Sequence, residues 1–151
     1  MAFATKNDFM NGRLPVPTGD DTSISAPRFI QDCTAVDSAA DNVGVIGILP
    51  SDKTPVLPLI VGTSGLGGSA AISIGILDED TGDISTKPED GGGAWAEGVE
   101  VDAAMVLQVP ITATMLAVQK SGLDRKIAVK FTGAGATAGK LGITVPYRSP
   151  N

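Results

Sequence analysis

Short runs in which every second residue is aliphatic recur along this chain, and glycine or proline ends most of them. Ile72, Ile74 and Ile76 share one face of the stretch 69–77, with small residues opposite. Ile127, Val129 and Phe131 alternate with Lys126, Ala128, Lys130 and Thr132, and Leu141, Ile143, Val145 and Tyr147 alternate with Lys140, Gly142, Thr144 and Pro146. A period of two lines one face of a β-strand, whereas a helix needs a period near 3.6. Nineteen glycines and ten prolines in 151 residues break the chain too often for the long helices that connect parallel strands. Many short strands with turn signals between them favour an antiparallel sandwich, jelly roll or barrel. The length suits one such domain.

The expected elements follow from these patterns. Arg28–Thr34 opens the strands, and Val43–Leu49 is a β-branched run stopped by Pro50. Residues 55–61 suit an edge strand because of Pro55 and Pro58. After the strand at 69–77 an acidic turn, 78–83, leads to residues 84–86, and 87–98 form a loop around Trp95. Pro110 interrupts 99–119, which reads as strands with room for one short helical turn. Residues 126–132 and 140–147 read as a closing β-hairpin joined by the flexible segment Gly133–Gly139. Its inward set would be Ile127, Val129, Phe131, Ile143 and Val145, and its outward set Lys126, Lys130, Lys140 and Thr144.

Residues 1–26 form no such pattern. Asn11-Gly12, Pro15, Pro17 and Gly19-Asp20-Asp21 break any regular element, and the few apolar residues cannot make a face. The expected organisation is an extended N-terminal arm, 1–26, on an all-β domain, 27–151. An arm with no core of its own needs a surface to lie on, which hints at an assembly.

The chain is poorly equipped for catalysis. It has no histidine, which removes the Ser/His and Cys/His nucleophile pairs and the His-containing zinc sites. Cys33 is the only cysteine, so no intrachain disulfide can form, and in a strand it reads as a small buried apolar residue. Gly133–Lys140 imitates a phosphate loop but carries Ala134 and Leu141 where glycine and Ser/Thr are required, and it leads into a strand. Asp78, Asp80 and Asp83 lack the spacing of a calcium loop and read as a hairpin turn. The carboxylates Glu89/Asp90 and Glu97/Glu100/Asp102 have Trp95 as their only nearby aromatic, against the platforms of a sugar cleft. No cofactor, no metal and no enzymatic activity are expected.

Charge bounds the partners. A net charge of −6 with a pI near 4.4 argues against binding the nucleic-acid backbone. No apolar stretch approaches the ~20 residues of a membrane helix, and the start lacks a signal-peptide pattern. The expectation is a soluble chain made in a cytoplasm. Residues 76–102 carry nine acids against Lys87 alone, while 103–151 carry six bases against Asp124. These are either solvated faces that pair within one domain, or patches that meet copies of the chain or another surface.

Three features together resemble the small head decoration, or cement, proteins of tailed bacteriophages. They are the polar N-terminal arm, the loop Gly91-Gly-Gly-Ala-Trp-Ala-Glu-Gly98, and the closing pattern Leu123-Asp-Arg-Lys-Ile-Ala-Val-Lys-Phe-Thr132 followed by Ala138-Gly-Lys-Leu-Gly-Ile-Thr-Val-Pro-Tyr147. The resemblance covers mainly 68–151. It implies a jelly-roll-like domain, present in many copies on the capsid exterior, that binds the major capsid protein and clamps the shell. Copies of itself, as a dimer or trimer, would be further partners. The alternatives are another virion component, such as a head fibre, tail or connector-associated protein, or a non-viral β-sandwich binding module. Candidate contact residues are Phe3, Phe9, Arg13 and Leu14 on the arm, Trp95 in its loop, and the acids Glu97, Glu100 and Asp102. Trp95 is either an anchor for a partner's pocket or a lid over the core.

Overall fold

The alternating runs become strands that close on one another as two sheets. The computed structural model describes residues 3–17 and 23–149. The strands are β1 (Arg28–Cys33), β2 (Val43–Leu49), β3 (Thr54–Pro55), β4 (Leu59–Thr63), β5 (Ala71–Asp78), β6 (Asp83–Ile84), β7 (Ala96–Glu100), β8 (Met105–Val109), β9 (Arg125–Gly133), β10 (Gly139–Thr144) and β11 (Tyr147–Arg148). A single helical turn, α1 (Ala113–Leu116), follows Pro110.

One sheet has the order β1-β10-β4-β8. In the other, β2 pairs β9 and β9 pairs β5; the far side of β5 is shared by β7 and the short β6. All these pairings are antiparallel. Among the eight longer strands the first pairs with the last, the second with the seventh, the third with the sixth and the fourth with the fifth. That nesting is a rolled-up hairpin, the jelly roll, and it makes the expected all-β sandwich specific.

Both sheets turn their apolar faces to one core. Phe29, Val61, Leu141 and Ile143 from the first sheet join Ile46, Ile72, Ile74, Ile127, Val129 and Phe131 from the second, all fully buried. Each such side chain contributes about 1.5–3 kcal/mol by leaving water. The inward set expected for 126–147 is buried as the alternation required.

The closing hairpin itself does not form. β9 lies between β2 and β5, and β10 lies between β1 and β4, so the two are central strands of opposite sheets. Neither has a free edge to offer the other, and residues 134–138 carry the chain across the sandwich. The run expected at 55–61 also divides. β3 pairs with β11, and β4 begins just after Pro58, whose missing N–H cannot serve a ladder. The strand β7 begins inside the expected Trp95 loop.

Candidate functional site

The two sides of the sandwich are treated differently, and this decides which surface remains for a partner. On one side lie the edge strands β1 and β2. Residues 3–17 of the arm are laid across them. Gln31 Nε2 on β1 donates to Thr5 O at 2.5 Å, and Asn7 Nδ2 donates to Ile46 O on β2 at 2.6 Å. Ile46 sits where the β2–β9 register slips between Val45 and Gly47, so a bulge has taken its carbonyl out of the ladder. Asp37, itself buried, accepts from Ala4 N through Oδ1 at 2.8 Å and from Thr34 N through Oδ2 at 2.8 Å.

The arm's aromatic rings fill what the strands leave open. Phe3 lies over Gly44, where any Cβ would collide with the ring. Phe9 meets Phe29 edge-to-face, with ring centroids 4.9 Å apart and planes at 76°. Within the arm, residues 7–14 curl into a run of turns, with Asn11 N and Arg13 N donating to Asn7 O and Asp8 O. Further along, the buried Tyr147 donates its hydroxyl to Pro17 O, and burial raises its pKa. Residues 1–2 and 18–22 of the expected arm lie outside the described residues, and within 23–26 Ser25 forms an antiparallel bridge with Tyr147.

Phe3 and Phe9, read from sequence as contacts for a partner, therefore pack against the chain's own core. Arg13 and Leu14 remain exposed at the tip of the turns, with Arg13 3.7 Å from Asp8. Trp95 has no exposed surface and belongs to the core cluster. Its backbone N–H donates to Ile74 O, and its backbone carbonyl accepts from Thr112 Oγ1 at 2.7 Å. Thr112 also caps α1, accepting from Met115 N. The lid over the core is the reading that this burial matches, and a core indole cannot enter a partner's pocket.

The charged segments meet within the chain. Lys130 reaches Asp83 at 2.9 Å, Lys126 reaches Glu79 at 2.6 Å, and Arg125 reaches Asp90 at 3.2 Å. The hydrogen bond from Lys130, then that from Ile84 N, holds the Asp83 carboxyl below the ordinary range; the same contact raises Lys130. Lys87 bridges Asp78 and Asp80, so the acidic turn is already partnered by a lysine. Among the described residues no group of three or more Asp, Glu or Cys side chains is arranged to hold a metal ion.

Arg125 was not singled out by sequence reasoning, yet it is the most connected cation. Besides Asp90 it donates to Glu89 O, Lys53 O and Gln119 O, tying three loops to the start of β9. Asp90 in turn accepts from Ser85 Oγ at 2.6 Å. The free thiol of Cys33 is buried beside Asp37 and Asp32 and is pushed up to about 12, chiefly by burial, which leaves it inert at neutral pH.

The opposite side of the sandwich carries β8, the other edge of the first sheet, and β7, which shares the far side of β5 with β6. No arm covers them among the described residues. Glu97, Glu100 and Asp102 are exposed and make no ion pair among the described residues. Between the strands runs an open groove of about 440 Å³, lined by Val99, Met105, Leu107 and Val109 together with Glu97 and Glu100. Val106, at 73% exposure, and Leu107, at 44%, stand at the outer edge. Sequence reasoning missed these two. The signal was there: Met105-Val-Leu-Gln-Val109 has no charge and no alternation, so it cannot hide all its apolar residues.

With this geometry in view, comparison with known proteins gives a fold match. A chain of the capsid of Ralstonia phage GP4 is similar along 97% of this chain and 97% of its own length, with a TM-score of 0.77 and 21% sequence identity. A chain of the cyanophage Pam1 capsid asymmetric unit aligns over 97% of this chain and 99% of its own, with a TM-score of 0.47 and 15% identity. No protein family and no curated protein matches the sequence.

Proposed function

We propose that this chain is a structural protein of a bacteriophage virion and, more narrowly, a decoration or cement protein that binds the major capsid protein on the outside of the shell. The observation that carries the reading is the end-to-end fold likeness to a chain of the Ralstonia phage GP4 capsid. The side chains are consistent with it. They supply edges, grooves and exposed charge, and the buried thiol and buried indole offer no reactive or sugar-stacking surface. The same burial of Trp95 weighs against a carbohydrate-binding module.

The physical action would be linkage. A small domain that binds the assembled shell more tightly than free subunits stabilises assembly by mass action, and many copies add avidity. A rigid jelly roll suits this, because little conformational entropy is lost when it docks.

Sedimentation of the purified chain with undecorated shells tests the reading. Saturable binding together with a raised shell disassembly temperature is expected. Failure to sediment with shells, or binding that leaves their heat tolerance unchanged, would remove the cement role.

A further inference from the structure

A sheet edge presents unpaired N–H and C=O groups that recruit any extended chain, and proteins usually cover or charge such edges. Here one side of the sandwich is covered with care. Asn7 of the arm satisfies the bulged carbonyl of Ile46, the arm's Thr5 carbonyl accepts from Gln31, and Phe9 packs on Phe29. Among the described residues the other side has no such covering segment. β8 ends its sheet, contains no proline and no charged residue, and exposes Val106 and Leu107.

We propose that the outer edge of β8 is a strand-addition site for an extended partner segment with alternate apolar side chains and flanking Lys or Arg. The partner's backbone would pair with residues 105–109. Every second side chain of an added strand points to the same face, so one set would enter the groove between β7 and β8. That groove is lined by the buried Val99 and Val109, by Met105 and the more exposed Leu107, and by the exposed acids Glu97 and Glu100.

Charge chooses the occupant. Two copies pairing β8 with β8 would bring two such acidic grooves, each with Glu97 and Glu100, next to one another, and like charges brought together oppose association. An acidic segment meets the same penalty. A cationic one gains attraction to carboxylates that form no ion pair among the described residues. That this segment belongs to the capsid shell rests on the function proposed above; the site on β8 does not.

Amide hydrogen exchange on the full chain tests this with two probes. The first is a short synthetic peptide of alternating valine and lysine, compared with one of valine and glutamate. At a peptide concentration about nine times the dissociation constant, the outward amides of 105–109 should exchange about tenfold more slowly with the lysine peptide. The glutamate peptide should leave them unchanged, and the double variant Glu97→Lys, Glu100→Lys should reverse the preference. No slowing at 105–109, or equal slowing by both peptides, overturns the proposed site and its occupant. The second probe is the undecorated shell. Slowing of the same amides on binding assigns the segment to the shell. Binding with those amides unchanged overturns that assignment, and absence of binding defeats the decoration reading while the peptides still decide the site.

Discussion

Asn7 offers the sharpest test of how the arm is held. The residue is 8% exposed, and its side chain makes two bonds, donating to Ile46 O at 2.6 Å and accepting from Met10 N at 2.9 Å. Ile46 is fully buried, so water cannot replace the donor that Asn7→Ala removes. A stranded buried acceptor costs about 1–3 kcal/mol, while the half-buried Met10 N–H can recover part of its loss from water. We therefore expect a loss of about 2–3 kcal/mol. In a chain of this size each kcal/mol moves the midpoint by about 2–4 °C, giving a drop of roughly 4–12 °C. Asn11→Ala is the control, since its side chain donates to Lys6 O at an exposed site and should cost under about 0.5 kcal/mol. Thermal unfolding followed by circular dichroism reads both. Equal midpoints for the wild type and Asn7→Ala would refute the arm's docking on β2 through this bond.

Three further outcomes follow from the same contacts. Arg125→Ala should cost about 3–5 kcal/mol in chemical denaturation, because it leaves the buried Asp90 charge facing loop carbonyls, and Arg125→Lys should recover only part of it; a loss under about 1 kcal/mol would mean the three loops hold without the clamp. The Lys130–Asp83 pair should give a stability term that is constant near neutrality. It fades as pH falls through the lowered Asp83 value, beneath the ordinary 3.8, and again as pH rises through the raised Lys130 value, above 10.5. The pair is partly exposed and so is worth about 0–1 kcal/mol; Lys130→Met should flatten both slopes in a pH series of melts, and unchanged slopes would assign them elsewhere. The emission of the single tryptophan should stay blue and unchanged when the chain binds shells, and a shift or quenching on binding would put Trp95 back at the interface.

Much of this fold was legible because alternation records which face is buried. Val43–Leu49 has the observed bounds of β2, and Ile127, Val129, Phe131, Ile143 and Val145 all face the core. The pattern does not record which strand lies alongside. In a jelly roll β9 and β10 present the same alternation to one core from opposite sheets, so the sequence between Lys126 and Tyr147 reads as a hairpin. Only the presence of β2, β5, β1 and β4 at their edges excludes that pairing. The arm was illegible for a related reason. Phe3 and Phe9 follow no period, and their seats are made by Gly44 and Phe29, distant in the chain.

The candidate contact set was legible in part. Glu97 and Glu100 do stand at an exposed groove, with Asp102 in the turn that leads to β8. Trp95 could not be assigned from glycine-rich flanks, because its burial depends on α1 and β5 closing over it through Thr112 and Ile74. The block of acids and the block of bases suggested matched patches between molecules. Three of the bases instead find acids of 76–102 across neighbouring strands and loops, while Glu97 and Glu100 on β7 stay exposed and unpaired among the described residues.

Electron cryomicroscopy of particles assembled with and without this chain tests the central claim most directly. The account predicts added density with the shape of this jelly roll, repeated over the outer surface of the head and missing when the chain is omitted. Density confined to a tail, vertex or connector, or indistinguishable shells in the two preparations, would contradict it.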